Sequence, residues 1–188
     1  GEGAVAVVRK IAARCQVLSR QIQDMLQLAN LRSAAQSPGR SQEIDLRALV
    51  QATADRIVSA AAPRGIALNA EVEPITVTGI EDHLVMLLDN LLTNAVNYSY
   101  DGSRVEITLR RSADRSAVLA VRDHGIGIPA DKLPLVFDDY FRTKEAVRHN
   151  PSSTGLGLAI VRDVARLSGL HLDIKSSPGW GTEVTVTI

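Results

Sequence analysis

The longest uninterrupted element that this sequence predicts is a helix at its N-terminal end. The stretch from Ala4 to Arg32 contains neither proline nor glycine, the two residues that most strongly interrupt helices. Apolar or small side chains recur in it at steps of three and four, a heptad seam typical of paired helices. The seam comprises Val8, Ile11, Cys15, Leu18, Ile22, Met25 and Ala29. The remaining sequence offers no matching helix, so we expect the helix of residues 1–33 to pair with another chain; packing back on its own chain is the alternative.

Composition excludes several classes of protein. The chain has 188 residues with 21 basic and 21 acidic side chains, a balance that gives no support to general binding of nucleic acid or anionic membranes. A hydrophobic fraction of 45% excludes wholesale disorder, and a single cysteine excludes an intramolecular disulfide framework. No uncharged apolar stretch reaches the roughly 20 residues that span a bilayer. The chain begins without methionine, so we interpret it as a fragment whose parent carries any membrane anchor upstream.

The remaining chain predicts a linker and one mixed domain. Residues 34–42 are polar and contain Ser37-Pro38-Gly39, which predicts a linker. Residues 43–188 mix helices and strands without regular alternation, which indicates an α/β two-layer sandwich with helices on one face of a mixed sheet. The predicted helices are 45–62, with Asp45 as cap, 81–96 and 155–168. The predicted strands are 66–72, 75–78, 104–111, 117–122, 170–175 and 183–188, and residues 130–154 are expected to be irregular.

An asparagine-rich helix is the first of four patterns that carry chemistry. Asn90, Asn94 and Asn97 lie four and three residues apart and therefore share one helix face. Asparagine is a mediocre helix former, so three on one face suggest a function. An amide oxygen is a hard, neutral ligand suited to a magnesium ion that also binds phosphate. A solvated polar face is the equally weighted alternative.

The second pattern, residues 123–129, reads Asp-His-Gly-Ile-Gly-Ile-Pro and follows a predicted strand. Asp123 could accept a hydrogen bond from an exocyclic amine such as that of adenine. Guanine has a carbonyl oxygen at that position, so two hydrogen-bond acceptors would face each other. Gly125 and Gly127 would let a ligand approach the backbone closely. An ordinary turn is the alternative.

The other two patterns are a glycine-rich helix start at residues 154–161 and an aromatic–basic segment at residues 137–144. Free amides at a helix N-terminus bind phosphate well. Three of the chain's six aromatic side chains fall in the second segment, where they could anchor a loop while Arg142 and Lys144 offer charge to phosphates. An ordinary helix start and a hydrophobic anchor are the alternatives, and we expect Asp138 and Asp139 to be solvated charges.

Taken in order, with Gly179-Trp180-Gly181-Thr182 at the end, these motifs resemble the catalytic ATP-binding domain of sensor histidine kinases. The resemblance covers about residues 43–188, and the preceding helix resembles the second helix of the dimerisation and phosphoacceptor domain. It implies the Bergerat-type fold shared with gyrase, MutL-type ATPases and heat-shock chaperones. It also implies ATP and Mg²⁺ as cofactors, and transfer of the γ-phosphoryl group to a histidine and then to an aspartate of a response-regulator receiver domain.

The resemblance assigns roles to individual residues. Asn94 would hold magnesium with help from Asn90; Tyr98 would lie against the adenine, whose amine Asp123 would bind. Phe137–Phe141 would anchor an ATP lid. Catalytic roles at the phosphates would fall to Asn90, Arg142 and Lys144. The nucleotide-binding set would be Asn90, Asn94, Asn97, Tyr98, Asp123, Gly125, Gly127, Ile128, Phe141, Thr154, Gly155, Leu156, Gly157, Leu158 and Thr182.

The sequence departs from the family pattern at several places. The His-Glu-Leu-Arg-type phosphoacceptor motif is absent, so we expect a fragment that binds ATP without autophosphorylating. Asn97 stands where many relatives carry lysine, and His124 where asparagine is common. The segment Lys132–Arg148, rich in charge, is expected to order over bound nucleotide.

Other functions stay open at this point. The chain could be a serine kinase of the anti-sigma type or a hydrolysing ATPase, although Asn90 stands where those ATPases place a glutamate. It could also be a non-catalytic dimerisation or interaction module. For the kinase we expect a homodimer through the N-terminal helix, no nucleic-acid partner, and a cytoplasmic location, which ATP use and the absence of disulfide pairs favour.

Overall fold

The computed structural model describes residues 2–34 and 40–188, and it contains a long helix followed by a sheet covered on one face by helices. The helices are α1 Glu2–Ala34, α2 Leu46–Ala61, α3 Glu81–Tyr98, α4 Lys144–His149 and α5 Gly157–Ser168. The strands are β1 Gln42–Asp45, β2 Ala67–Val72, β3 Thr76–Gly79, β4 Arg104–Arg111, β5 Ala117–Asp123, β6 His171–Ser177 and β7 Gly181–Thr187. No helix in these two ranges is both long and apolar enough to cross a membrane.

The main sheet has the strand order β2-β4-β5-β7-β6. Only β2 and β4 are parallel in it, and the other neighbours are antiparallel. Burial alternates along β4 and β5, because successive side chains of a strand point to opposite faces. The buried face packs against α2, α3 and α5, with Leu87, Leu92, Ile107, Leu119, Ile160 and Val186 among its most buried side chains. The predicted two-layer α/β sandwich with a mixed sheet is thus the observed architecture.

A second sheet, which the sequence analysis missed, joins β1 and β3 in antiparallel register. Gln42, assigned above to the linker, is the first residue of β1. The strand forms because Ile44 is buried opposite Val77. Residues 35–39 of the predicted linker lie outside the described residues.

The segment expected to be irregular contains short helices. A 3₁₀ turn covers Leu133–Leu135, and α4 covers Lys144–His149. The side chain of Thr143 caps α4 by accepting a hydrogen bond from the backbone N–H of Ala146 at 3.1 Å. Threonine is a favoured N-cap residue, but this signal for a helix start was not used in the prediction. The expectation of an entirely irregular segment was therefore wrong.

Helix α1 presents two different faces. The heptad seam is exposed on it, with Val8 at 63%, Ile11 at 57% and Ile22 at 57%. On another face Leu28 and Leu31 are buried at 5% and 3% in the core cluster, where α1 packs on α5. The last turns of the helix thus pack on its own chain, as the alternative interpretation expected. Its seam is uncovered in the single chain, and pairing of the seam with another chain stays a prediction.

Candidate functional site

A cavity of about 100 Å³ opens between α3, the end of β5, the segment before α4, and β7. Its lining is mostly apolar and comes from distant parts of the sequence. The predicted site residues that line it are Asn94, Tyr98, Asp123, Gly127, Ile128, Phe141, Arg142, Leu158 and Thr182. The fold thus brings members of all four sequence patterns to one place.

Asp123 is the polar group that stands out in this cavity. It is the last residue of β5 and is only 6% exposed. Its Oδ1 has no hydrogen-bond partner among the described residues. Burial raises the pKa of Asp123 to about 7, against the lowering effect of the Thr182 and Gly125 backbone N–H groups. Because a buried acceptor without a partner is costly, this oxygen is matched to a ligand that brings its own N–H donor.

The glycines after Asp123 are required by the packing of the chain on itself. A Cβ at Gly125 would lie 1.8 Å from the carbonyl oxygen of Tyr98, and one at Gly127 would lie 1.9 Å from that of Ser177. Gly127 also has a positive φ of 64°, which favours glycine. Gly127 lines the cavity and Gly125 does not. Close packing against the backbone of neighbouring segments therefore requires both glycines, and their role in approach of a ligand stays a prediction.

The asparagine face of α3 meets the start of α5. A Cβ at Gly157 would lie 2.9 Å from Nδ2 of Asn94 and 3.2 Å from Oδ1 of Asn90. The Asn90 amide nitrogen donates to the carbonyl of Met86 at 2.8 Å. Two side-chain amides therefore converge where α5 presents its unpaired N-terminal N–H groups.

Beside the cavity lies a second, polar compartment of about 240 Å³. The predicted site residues that line it are Asn90, Asn97, Thr154, Gly155 and Gly157. Leu156 occupies the N-cap position of α5, and its N–H donates to the hydroxyl of Thr154 at 3.2 Å. The apolar cavity and this compartment share the asparagine face of α3 as a common wall.

The oxygen donors around this compartment suit a divalent cation that keeps part of its water shell better than one that is enclosed by carboxylates. Among the described residues there is no cluster of three or more histidine, cysteine, aspartate or glutamate side chains that could hold a metal. The amide oxygens of Asn90 in this compartment and of Asn94 in the adjoining cavity are hard neutral ligands. Such ligands suit Mg²⁺ that keeps several waters and binds phosphate oxygens.

The segment between Phe137 and Thr154, called the lid below, is docked on the end of α3. The His149 ring stacks on Tyr98 at a centroid distance of 6.4 Å and meets Tyr100 edge-on at 6.2 Å. Tyr98 Oη also lies 2.8 Å from Oγ of Ser153. Tyr98 is thus held by two contacts from the lid.

The two basic residues predicted to meet phosphates differ in position. Arg142 lines the apolar cavity, and its Nη2 donates to the carbonyls of Ala146 and Asn150 within the lid. Lys144 is exposed in the first turn of α4 and lines neither compartment. Their roles at phosphates stay predictions.

Comparison with known proteins agrees with this geometry. A sequence profile described as "Histidine kinase-, DNA gyrase B-, and HSP90-like ATPase" matches residues 79–188, more than half of the chain. The chain belongs to this ATPase family. The site described above therefore lies in an ATPase-type domain, and the family predicted from the motifs is confirmed.

Curated relatives in this family are named sensor histidine kinases. YkoH of Bacillus subtilis is 34% identical over 166 residues, which are 86% of this chain and 36% of that protein. SenX3 of Mycolicibacterium smegmatis is 33% identical over 180 residues, 95% of this chain and 46% of that protein. The chain thus spans less than half the length of either relative.

Solved structures of histidine kinases share this fold. The mycobacterial sensor histidine kinase MprB matches with a TM-score of 0.70 and 27% identity, over 79% of this chain and 97% of that one. Full-length ShkA in complex with AMPPNP matches with a TM-score of 0.77 over 90% of this chain and 35% of that one. At 24% identity, ShkA supports the fold alone.

Arg64, which precedes the segment matched by the family profile, has a supporting role that no sequence pattern predicted. Its Nη1 and Nη2 donate at 2.7 Å to the carbonyls of Val96 and Ser99, at the end of α3. Its Nε pairs with Asp101 at 2.7 Å. A cation at a helix C-terminus satisfies unpaired carbonyls and complements the helix dipole. Arg64 therefore holds the end of the helix that carries Asn90, Asn94 and Tyr98, and no sequence motif signals it.

An ionic cluster around one buried carboxylate joins α1 and α5 to the lid. The carboxylate of Asp163, whose side chain is 3% exposed, lies 2.7 Å from Arg32 and 2.9 Å from Arg162. Burial alone would raise the pKa of Asp163, but these two hydrogen-bonded guanidinium groups outweigh it and lower the pKa. Arg32 also pairs with Asp139 of the lid at 2.9 Å. The prediction that Asp139 is a solvated charge was therefore wrong, because its partners lie far away in the sequence.

Proposed function

We propose that this chain is the ATP-binding catalytic region of a two-component sensor histidine kinase. The observation that carries the proposal is Asp123, a buried carboxylate in an apolar cavity whose Oδ1 has no hydrogen-bond partner among the described residues. The names of the relatives point the same way, since both YkoH and SenX3 are sensor histidine kinases.

The apolar cavity is the proposed adenine site. The exocyclic amine of adenine donates a hydrogen bond to Oδ1 of Asp123, which supplies the missing partner of that oxygen. Guanine presents a carbonyl at the same place, so it leaves two acceptors facing each other. Tyr98 and Thr182 both line the cavity, so both would contact the bound base.

The phosphates extend from this cavity into the polar compartment. Asn94 lines the first space and Asn90 the second, so the asparagine face of α3 leads from one to the other. The N–H groups of Gly155, Leu156, Gly157 and Leu158 are the proposed phosphate donors, as expected for a helix N-terminus. Asn94 and Asn90 would hold Mg²⁺, which supplies neutralisation of phosphate charge when bound.

The reaction is transfer of the γ-phosphoryl group from ATP to a histidine. The imidazole nitrogen attacks the γ-phosphorus as the bond to the β-phosphate oxygen breaks and ADP leaves, and the imidazole then gives up a proton. What this region contributes is position and charge neutralisation, the two requirements of phosphoryl transfer. The phosphoryl group then passes to an aspartate of a response-regulator receiver domain.

The histidines of the chain are poor candidates for the acceptor. His83 is 9% exposed with Nδ1 2.9 Å from Oγ of Ser168, and His149 is stacked in the lid. His124 faces Glu106 at 3.4 Å, and His171 begins β6. We therefore place the acceptor on a segment outside these 188 residues.

The exposed seam of α1 is the proposed homodimer surface. Its apolar side chains recur with heptad spacing and are uncovered in the single chain, which is the condition for pairing with a second copy. A cytoplasmic location belongs to the same proposal, because the substrate is ATP.

Calorimetric titration tests the nucleotide assignment. We expect micromolar-range binding of Mg-ATP, no binding of Mg-GTP, and loss of ATP binding in Asp123→Ala. Asp55→Asn, an exposed position on α2, is the control and should bind as the unaltered chain does. A folded sample that binds no ATP, or binds GTP equally well, would overturn the adenine site.

Transfer needs a separate test. A histidine-bearing dimerisation domain is supplied together with radiolabelled ATP, and label on its histidine is the expected result. Label on a serine, or release of free phosphate alone, would place the chain in another branch of the ATPase family.

A further inference from the structure

The carboxylate of Asp24 reaches from α1 into the proposed phosphate compartment. Its Oδ2 accepts a hydrogen bond of 2.6 Å from the hydroxyl of Thr154. The same hydroxyl accepts the N–H of Leu156, just before α5. Asp24 thereby lines the compartment together with Asn90 and Gly157.

The packing of α1 holds Asp24 in this position. Leu28 and Leu31 follow it by four and seven residues and therefore lie on the same helix face. Both are buried, at 5% and 3% exposure. One residue further, Arg32 is anchored to Asp163. The last two turns of α1 thus fix the helix against the domain. This docking places the carboxylate of Asp24 in the compartment.

Among the side chains that the structure describes, none is a counterion of Asp24 in this compartment. No ion pair of Asp24 is found among those side chains, and the described residues that line the compartment include no lysine or arginine. The other carboxylate there, Asp89, is paired with Arg56 at 2.7 Å. A nucleotide phosphate entering the compartment would meet an uncompensated negative charge, and like charges at a few ångströms repel strongly in a partly dry site.

We propose that Asp24 is a specificity-determining residue for the charge of the bound nucleotide. While α1 is docked, Asp24 lowers the affinity for ATP and ADP relative to that for adenosine, which shares the base but carries no phosphate. Docking of α1 on Thr154 and binding of the triphosphate then oppose each other, and by thermodynamic reciprocity each weakens the other. The inference rests on the proposed ATP site.

The test compares nucleotides of different charge on the full chain. Dissociation constants of adenosine, ADP and AMPPNP are measured by calorimetry, each with Mg²⁺ and with EDTA. The variant Asp24→Asn keeps the shape of the side chain and an oxygen that can accept from Thr154. We expect it to tighten AMPPNP binding about five- to thirtyfold, ADP binding less, and adenosine binding by less than about twofold.

Two further variants separate local charge from other effects. Asp24→Ala should change the ratio of AMPPNP to adenosine affinity in the same direction. Asp89→Asn removes a carboxylate that is already paired, so it should change that ratio by no more than about threefold.

Three results would overturn the inference. An unchanged ratio in Asp24→Asn, with adenosine still bound, refutes it alone. Weaker AMPPNP binding in Asp24→Asn that appears only with Mg²⁺ makes Asp24 an aid to the metal instead. Failure of adenosine to bind the unaltered chain refutes the proposed function and this inference together.

Discussion

Replacing Asp123 by asparagine should weaken nucleotide binding and strengthen the fold at the same time. The two side chains have nearly the same shape, so the substitution changes mainly the charge. Replacing a residue that stabilises the fold lowers the stability of the protein. Replacing a residue that serves a ligand at the expense of the fold should raise it.

The size of the gain follows from the burial of the carboxylate. Burial raises the pKa of Asp123 from 3.8 to about 7, and one pKa unit corresponds to about 1.4 kcal/mol. Ionised Asp123 therefore costs the folded chain up to about 4 kcal/mol above pH 7. Because the pKa is higher in the folded than in the unfolded chain, its contribution to stability is fully present below pH 3.8 and is lost as the pH rises through 7.

Asparagine does not ionise, so the Asp123→Asn variant does not lose stability in this way as the pH rises. We expect its free energy of unfolding to exceed that of the unaltered chain by about 1–4 kcal/mol at pH 8, and by roughly half as much or less at pH 5. Affinity for Mg-ATP should fall about ten- to a hundredfold, the value of a hydrogen bond to a charged acceptor.

Urea unfolding at pH 5 and pH 8, together with calorimetric titration of Mg-ATP, measures both quantities. Asp55→Asn serves as the control, since it removes an exposed carboxylate from α2. A gain in stability that is equal at the two pH values would show that charge is not the cause. A loss of stability at pH 8 would refute the reasoning, because Asp123 would then be a structural residue.

Four further predictions concern other parts of the molecule. Arg64→Met should lower the free energy of unfolding by about 1–3 kcal/mol in urea titration, since it uncaps α3, whereas the exposed Arg110→Met should change it by less than about 0.5 kcal/mol. Gly157→Ala should weaken Mg-ATP binding at least about tenfold in calorimetry, because its methyl group would lie 2.9 Å from an asparagine amide nitrogen at the proposed metal site. Mg-ATP should protect Lys132–Arg148 from limited proteolysis, because bound nucleotide orders this segment, which contains the first part of the lid. Leu18→Glu should shift the mass in light scattering from dimer to monomer, since it places charge on the seam.

Each of these expectations has a contrary outcome. Equal losses in Arg64→Met and Arg110→Met would remove the special role of the α3 cap. Unchanged ATP affinity in Gly157→Ala would place the phosphates elsewhere. Equal proteolysis of the lid with and without nucleotide would argue against its ordering, and a monomer before substitution would argue against the seam as a dimer surface.

Much of the fold could be read from local pattern. The bounds predicted for the strands of the β4–β5 pair match to within one residue, because alternation and the turn between them are local signals. The β1 strand was missed, because its four residues become a strand only through pairing with β3. Helix α4 was missed because proline and charge in that segment outweighed the cap at Thr143.

The candidate site divides in the same way. Asn90, Asn94 and Asp123 could be found from spacing and residue type, since a helix period and a strand end are local. Gly125 was predicted to let a ligand approach the backbone, whereas in the structure the backbone of Tyr98 is what lies against it. Nothing in the sequence singles out Arg64, whose partners at the end of α3 lie more than thirty residues away.

Local sequence patterns predict helices α1, α2, α3 and α5, most strands, the α/β class, the family and a set of candidate nucleotide-binding residues. Those depend on periodicity and on chemical type, which are properties of short segments. The packing of distant segments leaves Asp123 Oδ1 without a partner among the described residues. It also lets Arg32 and Arg162 share Asp163, and it brings Asp24 to Thr154 across 130 positions of chain. Burial and ion pairing arise between segments distant in sequence, so they exist only once the core has brought those segments together.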